Sequence, residues 1–333
     1  MTVSRRTFVS GALVAAGLAA RSRARAASAI IAATFGDPVP TQWAAHDGTL
    51  AKASGWDLQW RTFNSGADVI AAMASGDVKI GELGSSPLAI AATQGVDIEM
   101  FMIDYVIGTS ESLIVRNGTG IKTLADLKGK RVATPVGSTS HFSLMGALQH
   151  ANVPAQDVQI MSMPPNQIAA AWSQDAIDAA FIWPPVQTEL LKNGTRLVGA
   201  DTVAQWGFPT FNAWVVNREF AKANRAGLIG FIRAVNDANA AYLKNPAAWT
   251  PASAQVKAIA AATGAAPDQV PEVIQGYRFL PISEQLQPQW MDGGIAKTLK
   301  ETADFLKSVN RLDHVLPSYA DAVTTVFLKE AVG

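Results

Sequence analysis

The sequence has 333 residues, 49% of them hydrophobic and 16% charged, with equal numbers of acidic and basic side chains. A chain of that length and apolar content buries a core large enough for two domains, which excludes a disordered or low-complexity protein. It has no Cys, which excludes disulfides and thiol chemistry, and no basic excess of the kind that marks a nucleic-acid or anionic-lipid binder.

The first 27 residues read as an export signal. Ser4-Arg5-Arg6-Thr7-Phe8-Val9 carries a twin arginine, and Gly11 to Ala20 is a ten-residue apolar core, too short for a membrane-spanning helix. Ala24-Arg25-Ala26 then resembles an A-x-A cleavage site. The segment holds five Arg and no acid, so the remaining chain carries a net charge of −5. An anion bound by such a chain must be held by local geometry rather than by overall charge. No later apolar run is long enough to span a bilayer.

From Ala29 the pattern alternates. Ala29 to Phe35 is a buried-strand run, and a helix follows from about Thr41 to Ala53. Trp56 to Phe63 alternates as a strand, Ala67 to Ala74 is a helix and Val78 to Leu83 a strand. Leu88 to Thr93 is a further helix and Ile98 to Ile103 a further strand. That order marks a mostly parallel sheet covered by helices. The pattern restarts after Leu113 to Arg116, with strands at Arg131 to Thr134, Val158 to Met161, Ile177 to Trp183 and Leu197 to Val198. Helices at Asn166 to Ser173 and Val186 to Leu191 lie between them. After Trp214-Val215-Val216 the chain becomes Ala-rich and helical, with no convincing strand, and is expected to pack back on the first unit. The α/β class follows, as two units in series.

Ligands of open α/β sheets sit beyond the carboxyl ends of the strands. The segment from Gly137 to Ser143 lies there, between the strand ending near Pro135 and a helix from Leu144 to Ala151. A helix start offers unpartnered N–H groups and partial positive charge, a place for an anion. One N-cap needs one hydroxyl, whereas Ser138, Thr139, Ser140 and Ser143 fall within six positions; plain capping and an anion site both remain open. Gly84-Ser85-Ser86-Pro87 repeats the arrangement in the first unit, again as ligand site or well-formed helix start. Two such starts favour one shared anion in a cleft that closes by a hinge. Trp183, before Pro184-Pro185, is a cleft wall or a core aromatic, and Trp206, Phe208 and Trp214 gather near Asn212.

Catalytic and metal-binding patterns are missing: the chain has no H-E-x-x-H, no P-loop and no G-x-G-x-x-G, and Ser140-His141 are sequence neighbours rather than a nucleophile–base pair. A binding protein without cofactor or metal is expected rather than an enzyme.

The strings ASGDVKIGELGSSPLAIAA, STSHFSLMGALQHANV, AAWSQDAIDAAFIWPPV, QWGFPTFNAWVVN and ADFLKSVNRL closely resemble periplasmic taurine-binding proteins, the substrate-binding components of ABC importers. The resemblance covers nearly all of the chain after residue 27. It implies a two-lobed type II periplasmic-binding-protein fold with a helical C-terminal region. Residues 28–114 and 212–333 would form one lobe and residues 115–211 the other. It further implies a monomer working with an ABC permease of the inner membrane, and a sulfonate held by Ser85, Ser86, Thr139, Ser140 and His141 with Trp183 as a wall. The family has Asp where this chain has Asn212, in an otherwise matching P-T-x-D-x-W-V-V string. An Asp there would pair with the taurine ammonium. Losing that charge leaves two expectations. Asp37, Asp104 or Glu111 takes over the amine, or the ligand is a sulfonate or sulfate ester that is amine-free or carries a tertiary or quaternary amine. An Asn212→Asp exchange is expected to raise taurine affinity at least tenfold if position 212 reads the amine. The rivals are an exported sulfate- or sulfonate-ester hydrolase with His141 as base, and a sensor or pyrimidine-precursor binder of the same fold.

Overall fold

The computed structural model describes residues 29–332. The export signal read at residues 1–27 lies outside the described residues. The first part of the chain alternates as β1 (Ile30–Thr34), α1 (Pro40–His46), α2 (Thr49–Ser54), β2 (Leu58–Thr62), α3 (Gly66–Ala74), β3 (Ile80–Gly84), α4 (Ser85–Thr93) and β4 (Ile98–Ile107). The second part runs β5 (Ser112–Arg116), β6 (Arg131–Thr134), α5 (Thr139–His150), β7 (Gln159–Ser162), α6 (Pro165–Ser173), β8 (Ala179–Ile182), α7 (Val186–Leu190), β9 (Gly194–Gly199) and α8 (Ala200–Gln205). Then come β10 (Phe211–Asn217), α9 (Arg218–Ala223) and α10 (Arg225–Lys244), followed by shorter helices and β11 (Tyr277–Arg278).

The strands form two sheets, in the orders β11-β4-β10-β3-β1-β2 and β7-β6-β8-β5-β9. Both are mixed rather than mostly parallel. β1 pairs parallel with β2 and β3, and β6 with β7 and β8. β10 runs antiparallel to β3 and β4, and β5 antiparallel to β8 and β9. The cause is the chain path. The chain leaves the first sheet after β4 and returns on β10, which slots between β4 and β3 in the reverse direction. The start of β10 therefore lies beside the ends of its neighbours. Asn212 faces Gly84 on one side and Tyr105 on the other.

Several boundaries differ from the sequence reading. The helix expected from Thr41 to Ala53 is two helices, broken at Gly48, whose φ of 80° no helix interior accepts. β4 runs to Ile107, not Ile103. β11 is a strand in a stretch read as purely helical. Most important for the site, α4 begins at Ser85 and α5 at Thr139, so the hydroxyl residues form the first helical turns instead of preceding them.

The first sheet packs on α10, whose Leu228, Phe231, Ile232 and Val235 are fully buried. Trp214 on β10 is the anchor, 0% exposed, with its ring 5.0 Å from Phe231 and 6.1 Å from Trp60. The second sheet is covered on both faces, by Leu144, Ala147 and Val203 of α5 and α8 on one and by Ile168, Trp172 and Leu190 of α6 and α7 on the other. The late helices pack on the first sheet as expected, but the Gly294–Ser308 helix also reaches the second unit. Phe305 meets Phe142 of α5 edge-on at 5.0 Å.

Replacing a fully buried large aromatic with Ala removes transfer energy and leaves a cavity, together about 3–5 kcal/mol. Trp214→Ala is expected to lower the unfolding free energy by that amount in a urea titration. A loss below about 1 kcal/mol would show that β10 is held by something other than this ring.

Candidate functional site

A cavity with about 430 Å³ of empty space, its open mouth included, lies where the strand ends of the two sheets face each other. Its wall is assembled from distant segments: Asp37 after β1, Gly84 and Pro87 at the start of α4, Tyr105 on β4, Glu111 before β5, Ser138 and Thr139 at the start of α5, Trp183 after β8, Asn212 on β10 and Tyr277 on β11. No Lys, Arg or His is among these residues.

The two helix starts come into contact. A Cβ placed on Gly84 would lie 2.8 Å from Thr139 Cγ2, too close for any side chain but hydrogen, so this approach requires glycine. Ser138 caps α5, its hydroxyl accepting from the His141 N–H at 3.2 Å. Gly84 occupies the N-cap position of α4 and offers no side-chain oxygen there. The first-turn N–H groups of both helices have no intrahelical acceptor, and their dipoles add positive potential at this end of the cavity.

The opposite side is acidic. Asp37 is 3% exposed and accepts a 2.6 Å hydrogen bond at Oδ2 from the Tyr105 hydroxyl, while Oδ1 has no partner. Burial pushes its pKa up to about 6, against the lowering effect of the Tyr105 hydrogen bond and of the nearby Tyr277 hydroxyl. Asn212 Nδ2 in turn donates to the Tyr105 oxygen at 3.1 Å. Asn212, Tyr105 and Asp37 thus form one donor chain ending on the carboxylate. Glu111 is equally buried, accepts from Thr139 Oγ1 at 2.8 Å, and is pushed up to about 7 by burial. Behind the wall, Glu82 accepts from the Thr34 hydroxyl and the Phe35 N–H, both at 3.1 Å, and so fixes the turn that carries Asp37. Its carboxyl is also raised, first by burial and then by the neighbouring acids.

Of the ten residues that sequence singled out, the cavity wall brings together Asp37, Glu111, Thr139, Trp183 and Asn212. Ser85, Ser86 and Ser140 are 0% exposed, stand behind the wall, and their hydroxyls have no protein partner. Because they lie within first helical turns, it is their backbone N–H groups that belong to the helix starts. His141 is also off the wall; burial first, then the charge of Arg311, lowers its pKa to about 4, so the ring is neutral near pH 7. Asp104 is off the wall too. It accepts from Thr41 Oγ1 at 3.2 Å beside the β10 register shift at Asn212/Ala213, and burial raises it to about 7. Sequence reasoning missed Tyr105 and Tyr277, whose rings lie 4.3 Å apart. The continued apolar run of β4 past Ile103 could have placed Tyr105 at a strand end. Nothing local marks Tyr277.

Comparison with known proteins agrees with this architecture. Residues 50–249 match the family described as NMT1/THI5 like. The chain is 38% identical over 290 residues to the taurine-binding periplasmic protein of Escherichia coli, covering 87% of this chain and 89% of that one. It is 30% identical over 184 residues to a putative aliphatic sulfonates-binding protein of the same organism, covering 55% and 57%. Among solved structures, the alkanesulfonate-binding protein SsuA of Xanthomonas axonopodis pv. citri, bound to MOPS, superposes with a TM-score of 0.74 at 21% identity, covering 89% of this chain and 97% of that one. With its fold, its family match and its near full-length likeness in accord, the chain belongs to the NMT1/THI5-like family, alongside the taurine-binding periplasmic protein of E. coli.

Proposed function

We propose that this protein is the substrate-binding component of an ABC importer, exported to the periplasm by the twin-arginine signal at residues 1–27. It acts as a monomer that binds taurine or a close organosulfonate, hands it to an inner-membrane permease, and turns nothing over. The sequence-based boundaries shift by a few residues, because β5 from Ser112 belongs to the second sheet and β10 from Phe211 to the first: residues 29–111 with 211–332 form one lobe and residues 112–210 the other, with the ligand between them.

The observation that carries this reading is the charge layout of the cavity. Two helix starts meet at one end, two carboxylates line the wall, and no cationic side chain among the described residues lines it. An anion alone would add a third negative charge. A zwitterion supplies its own cation. The sulfonate sits at the paired helix starts, taking first-turn N–H groups of α4 and α5 and the hydroxyl proton of Ser138, while the Thr139 hydroxyl stays on Glu111. Charge-assisted bonds of this kind contribute about 1.5–3 kcal/mol each. The ammonium goes to Asp37, whose free Oδ1 awaits a donor. Asn212 then serves as the donor that holds Tyr105 on Asp37, and Trp183 closes the side. The hydrolase reading loses its base, since His141 does not reach the cavity. A second ligand class has support in the aromatic wall of Phe35, Tyr105, Trp183 and Tyr277: a sulfonate with a methylated amine would face those rings.

The reading is tested by thermal shift of the protein with taurine, isethionate, longer alkanesulfonates and sulfate esters. Taurine is expected to raise the midpoint most, and the absence of any shift with every sulfonate rejects the proposal. Stranding the ammonium without its carboxylate costs about 3–5 kcal/mol, so Asp37→Asn weakens taurine by about two to four decades in calorimetry and isethionate far less. Asn212→Asp gains less than the tenfold expected from sequence, because the Tyr105 hydroxyl has one proton to give and loses its amide donor; a gain of tenfold or more would return the amine to position 212. Pairing with ammonium requires ionised Asp37. Taurine affinity should therefore fall as pH drops through about 6, a limb that Asp37→Asn removes.

A further inference from the structure

Glu111 is the one cavity carboxyl that the binding reading leaves without a task. It stands on the segment that carries the chain from β4 to β5, is 2% exposed, and lines the cavity. Its Oε2 accepts the 2.8 Å hydrogen bond from Thr139, the first residue of α5, and its Oε1 has no partner. The carboxyl thus occupies the same helix start that receives the sulfonate.

Two negative charges on one helix start oppose each other. At contact distance in a partly buried site that repulsion is strong enough to cancel one or two of the bonds that hold the ligand. The surroundings offer no remedy. Thr139 and Ser140 face Glu111 from α5, Asp37 from the turn after β1, and Tyr277 from β11. These are neutral or acidic, and none is a cation. A protonated carboxyl resolves the conflict, because it carries an O–H donor where the carboxylate has only acceptors. A sulfonate offers three acceptor oxygens and no donor, so acid and anion are complementary, and O–H···O⁻ bonds are among the short, strong ones.

We propose that sulfonate binding is linked to protonation of Glu111, which meets the ligand as a carboxylic acid and donates a hydrogen bond from Oε1 to a sulfonate oxygen. This rests on the sulfonate reading of the same cavity. The proton comes from solvent, the Thr139 hydroxyl continues to donate to Oε2, and no bond in the ligand forms or breaks. Burial first, with the charge of Asp37 adding to it against the neighbouring hydroxyls of Ser140 and Thr139, raises the free carboxyl to about 7, so the proton is available at little cost under neutral conditions and is lost above them. Asp37 must ionise and Glu111 must be protonated, so taurine affinity peaks between the two and declines on either side.

The test is titration calorimetry of taurine against the protein from about pH 5 to about pH 8, where both charges of taurine stay fixed. Sulfonate-free buffers are required, because buffer sulfonates would compete. Above about pH 7 the Kd is expected to rise toward tenfold per pH unit. At about pH 8, binding heats in bicine and in Tris should differ by close to one proton taken up per ligand. Glu111→Gln keeps an N–H donor and cannot ionise, so it should lose both the alkaline limb and the proton uptake while the acid limb remains. A wild-type Kd that is flat across the alkaline range, or proton uptake that persists in Glu111→Gln, overturns this inference and leaves sulfonate binding standing. If the variant does not fold, the wild-type proton count decides alone. No taurine binding at any pH would instead remove the reading beneath it.

Discussion

The structure turns on carboxylates that are buried without a cation. Asp37, Glu82, Asp104 and Glu111 are each at most 3% exposed, and burial is the leading cause of the raised pKa of every one. Ionised acids in such a place are costly unless something positive arrives. The protein meets part of that cost with neutral donors: Thr34 and the Phe35 N–H on Glu82, Thr41 on Asp104, Tyr105 on Asp37 and Thr139 on Glu111. What remains is a cavity whose polar groups are left half-satisfied. The free Oδ1 of Asp37 and Oε1 of Glu111 are the visible remainder.

Strand β10 converts this local chemistry into a fold-level constraint. It is the only strand among the described residues to join the first sheet after the chain has visited the second, apart from the two-residue β11. Its reverse direction places Asn212 between Gly84 and Tyr105, so one strand start touches both the anion end and the acidic side of the cavity. The buried Trp214, two residues on, ties that position to α10. The contact of Gly84 with Thr139 makes the meeting of the two helix starts depend on a residue without a side chain. A rigid first sheet carrying β10 and a second sheet carrying α5 are thereby brought together at the cavity.

Much of the site was legible in the sequence, and its errors have a common cause. The clustered hydroxyls at 85–86 and 138–143 marked both helix starts correctly as places, because Ser and Thr are strong N-terminal signals. The chemistry assigned to them shifted once the helices were seen to begin at Ser85 and Thr139. Residues expected as free hydroxyl donors became first-turn residues, and the hydroxyls of Ser85, Ser86 and Ser140 are buried with no partner among the described residues. His141, adjacent to the motif in sequence, is not among the residues of the cavity wall and is held neutral. Asp104 and Asp37 were equivalent candidates from sequence, since both follow apolar strand runs. Only the register of β4 against β10 puts Asp104 behind the wall and leaves Asp37 in front.

Sequence by itself determined the α/β class, the alternation of strands and helices up to Trp214, the absence of cysteine, and the two hydroxyl-rich helix starts. Those properties are written in local periodicity and residue type, which act over a few residues. Tertiary structure decided the mixed order of the sheets, the pairing of Tyr105 with Tyr277, and which carboxyls face the cavity. Each of these depends on segments separated by up to 172 positions, as Tyr105 and Tyr277 are, and a strand's direction or a side chain's facing is set by its neighbours in space. The placing of Asp37 on the cavity wall beside the Asn212–Tyr105 pair is of that second kind. A substitution that removes a charge from one strand can be read from the chain, but the carboxylate that stands beside it cannot.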